Sequence, residues 1–166
     1  SNHTLGHSYL FTGPGSETAS ENFIKSLLCR SSASSACGIC TACRLFLKNP
    51  ELVISIVDCI KKGGIDAVRK MRDEAFLTKA QNKNIFLVRF PERMSREASS
   101  ALLKLLEEPP RGVLFVFLSE NPFLIHPPLR SRMATFRTNR QISHVYDALS
   151  ARILRSPLHK RFQETK

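Results

Sequence analysis

Two stretches of this chain hold residue types whose spacing could do chemistry. The first is LLCRSSASSACGICTACR, where Cys29, Cys37, Cys40 and Cys43 are separated by seven, two and two residues. Two overlapping Cys-x-x-Cys steps place three thiolates in one tight knuckle, Gly38 eases the turn, and Cys29 at a helix end closes a tetrahedron. Disulfides are disfavoured in a reducing cytosol, and an iron-sulfur cluster usually brings a Cys-Pro step that does not follow here. Structural zinc is the expectation: sulfur fills all four positions and leaves none for a catalytic water. Cys59 stands apart and reads as a buried or loop thiol. The second stretch, residues 7–21, is HSYLFTGPGSETASE. An apolar run at 9–11 enters Gly13-Pro14-Gly15, and Ala19, Phe23 and Leu27 then recur four residues apart. Strand, glycine turn and helix is the layout of a phosphate loop. A working loop reads G-x-x-x-x-G-K-[ST], its amides cradling phosphates, its lysine reaching the outer ones and its hydroxyl holding magnesium. Here the turn Gly13, Gly15, Ser16, Glu17, Thr18 is shorter and has no lysine, and Glu17 would repel a triphosphate. The competing reading is an ordinary glycine turn before a helix capped by Thr18 and Glu21.

The elements that must position these residues alternate. Residues 51–57, ELVISIV, suggest a strand buried on both faces, and Lys61-Lys62-Gly63-Gly64 a turn. Ile65, Val68, Met71, Ala75 and Phe76 mark the inward stripe of a helix over 65–77, with Arg69, Lys70 and Arg72 on the other side. After a polar turn at 81–84, IFLVRF at 85–90 is the next strand. Ser95 caps a helix that runs to Glu108, with Ala98, Ala101, Leu102, Leu105 and Leu106 inward, and Pro109-Pro110 stops it. VLFVFLS at 113–119 fits a central parallel strand; residues 129–132 form a short basic turn, and 134–137 a last strand. Ile142, Val145, Tyr146, Leu149 and Ile153 mark a further helix, broken at Ser156-Pro157 before a basic, frayed tail. The fold class is therefore α/β, a parallel sheet with helices on both faces and the cysteine module, about 29–48, inserted after the first helix.

At 166 residues the chain suits one domain and part of a second. No apolar run is long enough for a membrane span and no signal pattern opens the chain, so a cytoplasmic protein with no membrane partner is expected. Ser1-Asn2 resembles a cloning remnant, and the chain is expected to be a fragment. Its 25 basic and 14 acidic residues leave a formal charge of +11, which favours nucleic acid or an acidic protein surface. The cysteine knuckle carries no evident aromatic or base-reading helix, which disfavours DNA recognition by this chain alone.

A parallel sheet binds its ligands at the carboxyl ends of its strands. In a phosphate-loop enzyme the strand beside the loop ends in acids that hold magnesium and activate water. Here that strand, 85–88, ends in Arg89-Phe90-Pro91-Glu92 with no paired acids. A loop without lysine and a strand without acids are matching absences, and together they suggest a retired nucleotide site. The charges look exchanged: Glu17 stands near the loop lysine's place and Arg89 at the strand acid's, so the two are expected to meet within about 4 Å and occupy the vacated pocket.

LFTGPG, the four cysteines, ALLKLLEEPP at 101–110 and LRSRMATF at 129–136 resemble the first domain of the bacterial DNA polymerase III clamp loader subunits, over about residues 7–137. LRSRMATF is similar to their serine-arginine-cysteine signature, with Met133 in the cysteine's place. The resemblance implies an AAA+ module over 3–138, followed at 139–166 by the start of a helical lid. In this family gamma and tau subunits hydrolyse ATP through an intact loop and paired acids, whereas the delta-prime type does not; this chain departs from the ATPase pattern at both places. The resemblance implies no bound ATP, and gamma or tau and delta subunits as partners in a five-membered ring. That ring opens the sliding clamp and places it on primed DNA. It also implies that Arg132, with Ser131 before it, reaches a neighbouring subunit's nucleotide in trans. The alternative is a gamma or tau type ATPase with a degenerate site.

Overall fold

The computed structural model describes residues 6–30, 36–62, 64–81 and 85–139. The helix and tail expected beyond residue 139, and with them the start of a lid, lie outside the described residues. Strand β1 (Ser8–Thr12) leads through the glycine turn into helix α1 (Ser16–Leu28). Helix α2 (Thr41–Lys48) precedes β2 (Ser55–Asp58), the single-turn α3 (Cys59–Lys62) and the long α4 (Ile65–Gln81). Then come β3 (Ile85–Arg89), α5 (Arg96–Glu107), β4 (Leu114–Ser119), the short α6 (Pro127–Arg130) and β5 (Ala134–Arg137).

All four strand pairings are parallel, and the sheet order is β2-β3-β4-β1-β5. Because side chains alternate along a strand, the sheet sorts its apolar residues onto two faces. On one face Tyr9, Phe11, Ile85, Leu87, Val116 and Leu118 pack under α1 through Phe23, Ile24 and Leu27. On the other, Leu10, Phe86, Val88, Phe115 and Phe117 pack under α4 and α5 through Val68, Met71, Leu102 and Leu105. β4 is buried along its whole length, as its unbroken apolar run requires of a central strand.

Four local expectations are corrected. The strand expected at 51–57 begins only at Ser55, because Pro50 and the Asn49 side chain, which accepts from the Glu51 amide, wind Pro50–Leu52 into a 3-10 turn. β2 is also a sheet edge, with Ile56 and Val57 half-buried, and is not covered on both faces. Lys61 and Lys62 belong to α3, whose start is capped by the Asp58 carboxylate accepting from the amides of Ile60 and Lys61. Phe76 is 63% exposed: Ile65, Val68, Met71 and Ala75 follow the helical stripe, and the next residue falls about 100° beyond its edge. Cys59 is buried, as expected, and burial pushes its thiol up to about 12, which keeps it protonated and inert.

Candidate functional site

The carboxyl ends of β1, β4 and β3 carry the glycine turn and the strand end that the sequence singles out. β4 lies between β1 and β3, so the strand of Arg89 is not the immediate neighbour of the loop strand. The interval is spanned by a long side chain: Arg89 Nη2 donates to Glu17 Oε1, joining the end of β3 to the first turn of α1 in an ion pair. The two side chains are 32% and 62% exposed, so the pair contributes about 1 kcal/mol or less to the fold. It lies at the carboxyl end of the sheet, where the start of α1 and the end of β3 come together. Glu17 also gains from the positive end of the α1 dipole. Asp58, level with Arg89 on the adjoining β2, is turned away to cap α3.

Phe90 follows Arg89 at the end of β3. Its backbone is left-handed at φ 57°, unusual for a bulky residue, and its amide donates to Leu118 O at 2.8 Å. Phe90 is partly buried and, like Val57, Met94 and Ala101, packs against the core on the α4 and α5 face. Gly15 is the residue before α1, at φ 84°, and has no side chain with which to cap the helix. Ser16 donates from its amide to Gly13 O at 3.1 Å and Ala19 to Gly15 O at 3.0 Å. A residue missed in the sequence closes the turn from behind. Thr138 donates from its amide to Thr12 O at 2.8 Å, and its Oγ1 lies 2.8 Å from Pro14 O. A Cβ on Gly13, at φ 98°, would come within 2.5 Å of Thr138 O, so only glycine fits between loop and strand end. A lone threonine after a strand carries no signal of this in the sequence.

Arg132 sits in the turn between α6 and β5. Its own carbonyl accepts from Ser8 Oγ at 2.7 Å, and its amide donates to Leu129 O at 3.2 Å. Its Nη1 donates to Pro128 O at 2.9 Å and its Nη2 to Glu107 Oε1 at 2.8 Å. In the single chain the guanidinium is thus paired locally, and 39% of the side chain remains exposed. Ser131 donates back to Pro128 O at 2.9 Å. Glu107 was unremarked in the sequence as a partner, because nothing in a helical pattern says which distant loop its last turn faces.

The four cysteines converge. Their sulfur atoms all lie within 4.8 Å of one another, with Cys29 and Cys43 buried and Cys37 and Cys40 half-buried. Four Zn–S bonds of about 2.3 Å in a tetrahedron need sulfurs about 3.8 Å apart, so a small inward movement suffices and the four sulfurs could hold a zinc ion. Backbone amides already support the sulfurs: Cys37 N–H donates to Cys29 Sγ at 3.3 Å and Cys40 N–H to Cys37 Sγ at 3.4 Å. Such donors favour thiolate. The amides of Arg30 and Cys43 pull Cys40 down to about 6, and the Cys40 amide lowers Cys37. Burial pushes Cys43 up to about 12. Gly38 takes φ 73° in the knuckle turn.

These features define an α/β domain: a parallel five-stranded sheet, a glycine turn at its carboxyl edge and a four-cysteine centre joined to its first helix. Residues 1–141 match the family model described as "DNA polymerase III, delta subunit", and the chain belongs to this family of clamp-loader subunits of the AAA+ class. It is 33% identical over 135 residues to DNA polymerase III subunit gamma/tau of Mycobacterium bovis, which covers 77% of this chain and 23% of that protein. It is 30% identical over 137 residues to subunit tau of Bacillus subtilis, covering 80% and 24%. It is 32% identical over 134 residues to subunit delta' of Pseudomonas aeruginosa, covering 76% and 41%. The chain thus spans between about a quarter and two-fifths of these relatives. A crystal structure of a DNA polymerase III gamma subunit-related protein from Thermotoga maritima aligns with a TM-score of 0.44 at 23% identity, over 66% of this chain and 40% of that one. Among the described residues, no helix is long and apolar enough to cross a membrane.

Proposed function

We propose that this chain is the leading domain of a non-hydrolysing, delta-prime type clamp loader subunit, acting in a ring with gamma or tau and delta subunits to place a sliding clamp on primed DNA. The observation that carries the reading is the ion pair between Glu17 and Arg89. An ATPase needs a cation in the loop and acids at the facing strand end, because it must hold a polyanion and its metal together. Here both charges are inverted, and they neutralise each other with no ligand. Identity does not separate the two types of relative, since gamma/tau at 33% and delta' at 32% stand level. The inverted charges favour the delta-prime type.

On this reading Arg132 is the chain's contribution to hydrolysis. A cation supplied across an interface stabilises the charge that spreads over a transferring phosphoryl group. Arg132 is half-exposed at the end of a short turn whose backbone is fixed on both sides, a placement that supports such a role. Cys29, Cys37, Cys40 and Cys43 would hold zinc; with four sulfur ligands the ion supplies no reactive position and serves the fold. The basic balance of the chain suits the phosphates of DNA threaded through a ring.

The test is assembly. Full-length protein mixed with clamp loader gamma and delta type subunits is expected to elute as one larger complex whose mass, by light scattering, includes this chain. If gamma and delta assemble and this chain stays apart, the proposed function is wrong.

A further inference from the structure

We propose that Glu107 is a positioning residue for Arg132, an anchor that holds the guanidinium in one orientation while leaving part of its donor fork for a neighbour's phosphate. The inference rests on the trans reading of Arg132 and names the device that prepares it.

Glu107 ends α5, where an acid gains nothing from the helix: the carboxyl end of the dipole favours cations, and Lys104 already supplies one in that turn. Its carboxylate goes instead to Arg132 Nη2, 25 residues away. The helix that carries the anchor is packed on the core. Leu102, Leu105 and Leu106 bury one side of α5 against the sheet, and Pro109-Pro110 ends the helix just beyond. The second tether, Pro128 O to Nη1, comes from α6, so the guanidinium is gripped from two different elements. A planar guanidinium carries N–H donors on all three nitrogens, and these two bonds use only part of them. Arg130, two residues earlier, behaves otherwise: its Nη1 donates to Pro122 O and its guanidinium stacks over Phe123. The two arginines around Ser131 are thus sorted by their anchors, and only Arg132 is held by a carboxylate while 39% exposed. Holding a flexible side chain in its working geometry before the substrate arrives is the general route by which a residue outside the chemistry raises a rate.

The test uses the full-length protein in the assembled loader with clamp and primed DNA, reading ATP turnover at saturating ATP and the KM for ATP. Glu107→Ala is expected to lower about tenfold the share of kcat that depends on Arg132, the difference between wild type and Arg132→Ala, with KM unchanged. Glu107→Gln, whose amide oxygen can accept the same bond, is expected to keep most of the rate. Glu107→Ala combined with Arg132→Ala is expected to be no slower than Arg132→Ala alone. Should the alanine variant fail to assemble, Glu107→Asp takes its place: it keeps the charge and loses the reach, and the same fall is expected. Wild-type turnover in Glu107→Ala, alongside the loss of one site's share in Arg132→Ala, would overturn the positioning role and leave the trans arginine standing. Faster turnover in Glu107→Ala would mark Glu107 as a mask and also overturn it. An Arg132→Ala variant with unchanged turnover defeats the trans reading itself, independently of any change at Glu107, and the positioning role falls with it.

Discussion

Replacing Arg132 by alanine in the assembled loader is expected to slow ATP hydrolysis at the site it faces by about 10³- to 10⁵-fold, or roughly 4 to 7 kcal/mol of transition-state stabilisation. The measured fall for the whole ring is smaller if other sites keep their own arginines, so the readout is the loss of one site's share of DNA-stimulated turnover. The structural cost is small by comparison. Arg132 holds one exposed ion pair and one bond to a carbonyl, and such a pair stabilises a fold by about 1 kcal/mol or less. A normal melting temperature and a normal complex size together with depressed turnover would therefore assign the effect to chemistry across the interface. Unchanged turnover would return Arg132 to the role it has in the single chain, a loop residue tied to Glu107 and Pro128.

Stripping zinc is expected to have the largest effect on the fold. Four-sulfur sites contribute on the order of 10 kcal/mol to small modules, against a net domain stability of about 5 to 15 kcal/mol. The dependence is local in origin. Helix α2 has eight residues, too few to stand alone in water, and it reaches the core through Cys43 and Phe46, both buried. Amide contacts such as Cys37 N–H to Cys29 Sγ and Cys40 N–H to Cys37 Sγ, at 3.3 and 3.4 Å, are weak beside four metal–sulfur bonds. Protein purified without chelator is expected to hold close to one equivalent of zinc, and a strong chelator to lower the melting temperature sharply and expose the Phe46 face of the first core. Less than about half an equivalent of zinc, with melting unmoved by chelation, would remove the assignment.

Much of this was legible because the residues concerned obey local rules. An unbroken apolar run such as LFVFLS reads as a central strand, Cys-x-x-Cys steps read as a knuckle, and a glycine turn followed by glutamate with no lysine is visible without coordinates. The meeting of Glu17 with Arg89 followed from charge alone, although the route did not: β4 intervenes, and only the length of arginine closes the gap. What stayed hidden depends on which elements face each other. Thr138 locks the glycine turn from the end of the neighbouring β5, and Glu107 grips Arg132 from the end of α5; neither type nor spacing marks them. The late start of β2 was missed for a different reason. Its residues 51–54 are apolar enough for a strand, and a proline with an asparagine before it outweighed that preference.

On the proposed function, the chain's own nucleotide site is closed by the Glu17–Arg89 pair and its part in hydrolysis is exercised on a neighbour. Titration of the purified, zinc-loaded chain with ATP and magnesium tests it most directly. Saturation is expected to be absent, or weaker than about 100 µM, a free energy of no more than about 5.5 kcal/mol. Binding tighter than that, with Glu17 and Arg89 intact, would contradict the account.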